Sequence, residues 1–273
     1  MSLELYKYAK KQGVKVQLAC FDIEKADLLE LLEDSNYQKN AFRSRKPVFN
    51  FQKCRYCGAC AQGCTSQAIQ FNRYRPSVYV IEGLCSCCCE CIKACSKNGI
   101  SFKYISCGVV YKSNGNGINL IGARLEESNP SGIPLINELA SQLDKDCMVI
   151  ADCGPGADYY TEAILRKMDV AIVVTESTKT WLADAKALFE QVNSLAVPFA
   201  IVINKAENQS TEINEIKKYC ADKNVNLLAT IGLYNPSPKL NAEGYESYME
   251  PFFAETALLW ENLYSSIEPQ IIN

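Results

Sequence analysis

The 273-residue sequence contains no histidine. That absence excludes imidazole-based triads, histidine general bases and zinc sites with imidazole ligands. No apolar run reaches the eighteen or so residues that span a bilayer, and the polar start MSLELYKYAKK is unlike a secretory signal. A cytoplasmic protein with no transmembrane segment is therefore expected. Positive charge is not in excess either: 28 Lys and Arg against 31 Asp and Glu leave a net charge of -3, which argues against an electrostatic nucleic-acid binder. The rest of the composition is that of a globular chain, 48% apolar and 22% charged, with one abundance. Fifteen cysteines without an export signal point to metal ligation before disulfides.

Ten of the 15 cysteines lie between Cys54 and Cys95, in two copies of C-x2-C-x2-C-x3-C. The first copy is Cys54, Cys57, Cys60 and Cys64; the second is Cys85, Cys88, Cys91 and Cys95. Three thiolates at intervals of three residues wrap a tight loop around one cubic cluster, and the fourth begins a short helix that points to the other cluster. On this crossed scheme Cys54, Cys57, Cys60 and Cys95 hold one [4Fe–4S] cluster, and Cys85, Cys88, Cys91 and Cys64 the second. Zinc ribbons would leave the third and fourth cysteines of each copy idle, so the spacing favours iron–sulfur. Cys87 and Cys89 fall outside the repeat phase; they are spare thiols or, by a slip within CSCCCEC, alternative ligands. The stretch resembles the bacterial two-cluster ferredoxin, with a hairpin over AIQFNRYRPSVYVI between its halves. It departs from that pattern in carrying Thr65 and Ser96 where proline usually follows the fourth cysteine. The isolated Cys20, Cys107, Cys147, Cys153 and Cys220 read as free, mostly buried thiols.

Around this module, strands alternate with helices. VKVQLACF is followed by the helical pattern IEKADLLELLED. Beyond the cysteines, GVVYKS and GINLIGARL read as a strand pair. The apolar strands CMVIAD, VAIVVTE, FAIVIN and NLLATI then alternate with four amphipathic helices. Such a pattern predicts an α/β fold, a mostly parallel sheet covered by helices on both faces. It is interrupted by a small α+β ferredoxin-like domain, giving 1–50, 51–105 and 106–273. At the carboxyl end of one strand, MVIADCGPGAD sets Asp152 before Gly154 and Gly156. A carboxylate there suits a magnesium-bound water, and glycine amides suit a phosphate.

Taken together, VQLACFDIEKADL, the double cysteine motif, LEESNPSGIPLINELA, VIADCGPG, TESTKTWLADAKALFE and PFAIVINKAE resemble the MinD/Mrp-type (deviant Walker) P-loop ATPases with an inserted ferredoxin domain. The resemblance implies that Asp152 is the switch II aspartate, Asp22 the switch I-region aspartate that positions water and magnesium, and Asn204 the adenine contact. Residues Ser128 to Gly132 match a stretch that follows the insert in relatives. Yet no G-x4-G-K-[ST] or KGG occurs in the sequence, and Cys20 stands where the family has a further aspartate. The resemblance therefore implies two [4Fe–4S] clusters and, as a further ligand, Mg·ATP that this chain is poorly equipped to hydrolyse. The expected function couples a nucleotide-binding-type α/β scaffold to electron transfer or metal-cluster handling on a partner; the alternative is an electron-transfer and interaction protein whose α/β body no longer binds or hydrolyses ATP. Expected partners are a redox protein, a related MinD-like subunit or a second copy of the chain, and not nucleic acid.

Overall fold

The computed structural model describes residues 1–30, 37–127, 131–206, 210–234 and 242–271. Along the chain run α1 (Ser2–Lys11), β1 (Val16–Cys20), α2 (Asp27–Glu30), β2 (Gln38–Phe49), α3 (Ala59–Gln62), β3 (Ile69–Asn72), β4 (Ser77–Val80), α4 (Glu90–Ala94), β5 (Ile100–Ser113) and β6 (Leu120–Leu125). There follow α5 (Ile133–Ser141), β7 (Met148–Asp152), α6 (Tyr159–Leu165), β8 (Ala171–Glu176), α7 (Trp181–Ser194), β9 (Phe199–Ala206), α8 (Thr211–Lys223), β10 (Asn226–Gly232) and α9 (Ala242–Ile271). Of the helix expected over IEKADLLELLED, residues 31–34 lie outside the described residues. No described helix is long and apolar enough to cross a membrane.

The chain divides into two compact units. One comprises Met1–Val16, Asp146–Ile150 and Leu165–Asn273; the other comprises Gln17–Lys145 and Ala151–Ile164. In the first, β8, β9 and β10 form a parallel sheet with β9 in the middle. Residues Ala200 to Ile203 of β9 are buried in succession, as a strand covered on both faces requires. Ile201 and Ile203 pack with Trp181, Phe189, Ile213, Ile216 and Cys220 from α7 and α8. Each fully buried aliphatic side chain there contributes about 1.5–3 kcal/mol. Helix α8 starts where Ser210 accepts a hydrogen bond from the Ile213 amide at 3.2 Å, and stops at Asn224, which takes the left-handed conformation that ends helices.

The second unit holds most of a five-stranded sheet of order β2-β5-β6-β1-β7. Strand β1 pairs in parallel with β6, and all five of its residues are buried. Its one polar residue, Gln17, is satisfied by Asn119 Oδ1 at 3.3 Å and the Asp144 amide at 3.0 Å. Helix α5 packs on β5 and β6 through Leu135 and Leu139, both fully buried. The mixed α/β class with mostly parallel central strands is thus the one expected, and GVVYKS and GINLIGARL do pair, as antiparallel β5 and β6.

Strand β2 and helix α9 were not expected. Strand β2 runs antiparallel to β5 over its whole length, from Gln38 opposite Lys112 to Phe49 opposite Ile100. The register slips between Phe42 and Arg43, where Cys107 is the extra residue of a β-bulge. Gly108 follows it at φ +147°, and a β-carbon there would sit 2.2 Å from the Arg124 carbonyl oxygen. The cysteine-rich segment hangs from the end of this ribbon, and β5 continues unbroken through residues 105 and 106.

Candidate metal centre and strand-end carboxylates

The cysteine module repeats in backbone as well as in sequence. Two residues after the first cysteine of each copy, Tyr56 and Cys87 have φ of 50° and 56°. Four residues after it, Gly58 and Cys89 have φ of 79° and 63°. Three residues after the fourth cysteine, Gln67 and Asn98 have φ of 53° and 50°. Left-handed residues at alternate positions can turn successive amides inward, a concave arrangement that suits phosphates and iron–sulfur centres. The Tyr56 amide donates to Cys54 Sγ at 3.4 Å, and in the second copy the Cys87 amide donates to Cys85. The Gly99 amide donates to Cys95 Sγ at 3.2 Å. Helices α3 and α4 pack together, and a β-carbon on Gly63 would meet that of Ala94 at 3.2 Å. Gly63 and Ala94 occupy equivalent places in the two copies, as residues facing each other across a local two-fold axis must.

A hollow partly open to solvent is walled by Cys54, Cys57, Cys60 and Cys95 together with Phe49, Phe71 and Ile100. Cys64, the fourth cysteine of the first motif, is not in its wall. Burial pushes the Cys60 thiol up, and the neighbouring Cys54 and Cys57 thiolates add to the shift. The Cys91 thiol is pushed up to about 12, first by burial and then by the charges of Cys89, Cys85, Cys88 and Cys64. Cys95 thus shares a hollow with the first three cysteines of the other motif, and Cys64 is among the charges felt by Cys91. A hydrogen bond from Cys87 holds Cys85 below the usual thiol range and pushes Cys87 itself upward. The off-phase Cys87 and Cys89 are both buried, and Cys89 Sγ donates to the Arg45 carbonyl at 3.6 Å. Among the described residues no three His, Cys, Asp or Glu side chains are drawn together as a single ion would require. Ligands of a cubic cluster stand wider apart, because each binds a different iron.

The carboxylates occupy the ends of neighbouring strands. The Phe21 amide, just past β1, donates to the carbonyl of Asp152 at the end of β7 at 2.7 Å. Asp22 lies against Gly154, where a β-carbon would stand 3.3 Å from its carboxylate carbon. Its Oδ1 accepts from the Lys25 amide at 3.2 Å. Between them is Cys20, fully buried, its thiol pushed up to about 12 by burial and then by Asp152 and Asp22. Cys153 is exposed as a residue, although its desolvated thiol is likewise pushed up to about 12. Cys107 and Cys220 are buried, and Cys147 is half-buried. Gly156, at φ +104°, opens the turn that leads to α6. Asn204 lies in the other unit, on β9 opposite Glu176 of β8.

Three comparisons place the chain. No family model matches it. An uncharacterised protein of Methanocaldococcus jannaschii is 33% identical over 221 residues, covering 78% of this chain and 78% of that protein. The chain belongs to that protein's family. Among solved structures, the septum site-determining protein MinD of Pyrococcus horikoshii, complexed with Mg-ADP, matches 96% of this chain and 88% of its own at 14% identity and a TM-score of 0.51. The cell division ATPase MinD of Pyrococcus furiosus matches 97% and 91% at 14% identity and a TM-score of 0.50. A chain of the MinC:MinD cell division protein complex of Aquifex aeolicus matches 97% of this chain and 88% of its own at 11% identity and a TM-score of 0.50. At these identities the likeness is one of fold, and the fold is MinD-like.

Within that fold, some contacts tie the second cysteine motif to the segments carrying the carboxylates. Ser131 Oγ donates to the Cys85 carbonyl at 2.8 Å, and the next residue, Gly132, donates its amide to Tyr160 Oη at 2.9 Å. The Tyr159 hydroxyl packs against Gly83, 2.9 Å from where a β-carbon would be. Of the expected stretch Ser128 to Gly132, the first three residues lie outside the described residues. Sequence reasoning passed over Tyr159 and Tyr160, and nothing in their spacing from the cysteines marks them.

Proposed function

We propose that the chain is an iron–sulfur protein built on a MinD-like scaffold, serving electron transfer or metal-cluster handling on a partner. The observation that carries this reading is the hollow walled by Cys54, Cys57, Cys60 and Cys95 but not by Cys64. Three thiols of one motif and the fourth thiol of the other around one space are what a crossed pair of [4Fe–4S] clusters needs, whereas a zinc ribbon takes two thiols from each motif. Cys85, Cys88, Cys91 and Cys64 would hold the second cluster. When bound, such clusters accept and release single electrons at low potential, since every ligand is a thiolate. The chain's own part is to hold the thiolates, to direct the Tyr56 and Gly99 amides at sulfur, and to exclude water with Phe49, Phe71 and Ile100.

Asp22 and Asp152 suit a hard cation, and the bare backbone of Gly154 suits a phosphate beside it. The resemblance adds Gly156 and Asn204 as nucleotide contacts. Without a G-x4-G-K-[ST] loop the chain lacks the donors on which phosphoryl transfer depends, so by itself it should hydrolyse ATP negligibly. A related subunit or a second copy would then complete the site. The absence of that motif equally favours the second reading, an electron-transfer protein whose α/β body binds no ATP.

Anaerobic reconstitution tests the first claim. About eight irons per chain and a visible absorption bleached by dithionite are expected, whereas a colourless zinc protein would overturn it. Titration with Mg·ATP separates the two readings of the scaffold. Weakened binding in Asp152→Asn supports the nucleotide site, and no binding supports the second reading. Robust magnesium-dependent turnover, abolished in Asp152→Ala, would sink the expectation of negligible ATPase activity.

A further inference from the structure

The overall charge conceals a division. Residues 37–125 carry thirteen Lys and Arg against Glu82 and Glu90, whereas the remainder carries fifteen against twenty-nine. Much of that positive charge lies on the β2–β5 ribbon. Its register puts Arg43, Arg45, Pro47 and Phe49 on one face with Tyr104, Phe102 and Ile100. Arg43 lies over the Tyr104 ring at 5.9 Å and Arg45 over the Phe102 ring at 5.5 Å, and the two rings meet edge to face at 5.6 Å. Phe102 is 45% exposed and Tyr104 59% exposed. The opposite face is engaged: Ser44 hydrogen-bonds Cys87, and Lys46 pairs with Glu82.

The face is open at Arg43, Arg45, Phe102 and Tyr104 and leads to the cysteines through Pro47 and Ile100, which are buried. Phe49 and Ile100, at its inner end, are part of the hollow's wall, and Arg55 and Lys97 are at the same hollow. From there to Arg43 the strand spans six residues, about 20 Å. Charge alone would serve to blunt an edge strand. Exposed aromatic rings do the opposite and call for cover. Arginine, tyrosine and phenylalanine without acidic residues are the composition of a protein-docking centre for an acidic partner.

We propose that this face of the β2–β5 ribbon docks a small acidic protein that carries a one-electron centre, bringing it beside the hollow of Cys54, Cys57, Cys60 and Cys95. The partner's redox character rests on the iron–sulfur reading above; the docking itself does not. A centre held by Cys54, Cys57, Cys60 and Cys95 would accept the one electron that the carrier gives up, with no bond made or broken and no proton moved. Nucleic acid would satisfy the charge but brings no electron to the hollow.

Calorimetric titration of the anaerobically purified full chain with an acidic [4Fe–4S] ferredoxin tests this. Binding should weaken with salt, and the double variant Arg43→Glu/Arg45→Glu should weaken it at least about tenfold. Phe102→Ser/Tyr104→Ser should do the same at unchanged charge, and Lys217→Glu/Lys218→Glu on α8 should not. Circular dichroism of each variant, matched to the parent, ensures that a loss is not unfolding. Undiminished affinity in both ribbon variants overturns the proposal. So does capture of a single-stranded oligonucleotide in place of ferredoxin, or self-association of the chain through the same residues. Ferredoxin binding with this dependence in a chain that holds no iron leaves the docking standing and removes the iron–sulfur reading. Iron without ferredoxin binding removes the docking alone.

Discussion

The first cysteine motif and the second trace one backbone path in different surroundings. In the first, Cys57 is exposed, Arg55 and Lys97 flank the hollow, and Gly58 occupies a left-handed position where glycine costs nothing sterically. In the second, Cys87, Cys89 and Cys91 are buried, Ser131 holds the Cys85 carbonyl, and Cys89 takes the left-handed position despite its side chain. On the proposed iron–sulfur reading, ligand spacing is fixed by the cluster a loop would wrap, which is why both copies would share it. The intervening residues are set by what each loop faces. One copy faces outward toward a docking surface; the other is anchored to the segments next to Asp22 and Asp152.

The strongest test of this comparison exchanges the fourth cysteines. Cys64→Ala should cost about half the iron, as should Cys95→Ala, but from opposite loops. Cys57 and Cys88 are exposed and equivalent in the repeat, so they report which loop has emptied. Alkylation mapped by mass spectrometry should find Cys88 newly reactive in Cys64→Ala and Cys57 newly reactive in Cys95→Ala. The reverse pattern would show that each motif keeps its own fourth cysteine, and the crossed scheme would be lost.

The fold was legible where chemistry imposes sequence offsets: central strands such as β9 must be apolar throughout, and α8 announces itself with Ser210 at its start. The cysteine assignments rest on spacing, which for thiolates around a cluster recurs at fixed intervals, and are a proposal that the exchange above tests. Strand β2 imposes no such pattern. Its outer half is exposed, so QKNAFRSRKPVF shows no apolar alternation, and only the partner β5 defines it. Helix α9 was passed over for another reason, since Pro251 interrupts its helical signal. The Tyr160 contact joins residues 28 apart with no local signature. Segregated charge escaped because a net value averages it away: -3 overall hides a surplus of eleven positive charges in residues 37–125.

A second test probes the left-handed position that the copies fill differently. Gly58→Ala puts a side chain into left-handed backbone and sets its β-carbon 2.9 Å from the Phe71 ring. Together these should destabilise the fold by roughly 2–3 kcal/mol in urea unfolding. Cys89→Gly removes the same backbone strain from the second copy, offsetting the loss of its packing, and should change stability by less than about 1 kcal/mol. Iron content should be unchanged in Cys89→Gly. A loss of iron there would make Cys89 a ligand and support the slipped alternative within CSCCCEC.

A smaller effect at neutral pH than that of Gly58→Ala concerns the anchoring of the second motif. Tyr160 is nearly buried, and its hydroxyl accepts the Gly132 amide, one residue from the serine that holds Cys85. Tyr160→Phe leaves that amide without its partner and should cost roughly 1–2 kcal/mol at pH 7. Burial pushes the Tyr160 hydroxyl up to about 12, against about 10 for an unfolded chain. The folded state therefore keeps a proton that the unfolded state releases as pH climbs through that interval. The stabilisation is complete below pH 10 and declines toward pH 12, so the difference between parent and Tyr160→Phe should shrink across that window. A difference constant from pH 7 to 12 would mean that the hydroxyl titrates alike in both states. Urea unfolding that is unaltered at pH 7 would mean that the Gly132 amide is satisfied without it, and the second motif would then be no more firmly anchored than the first.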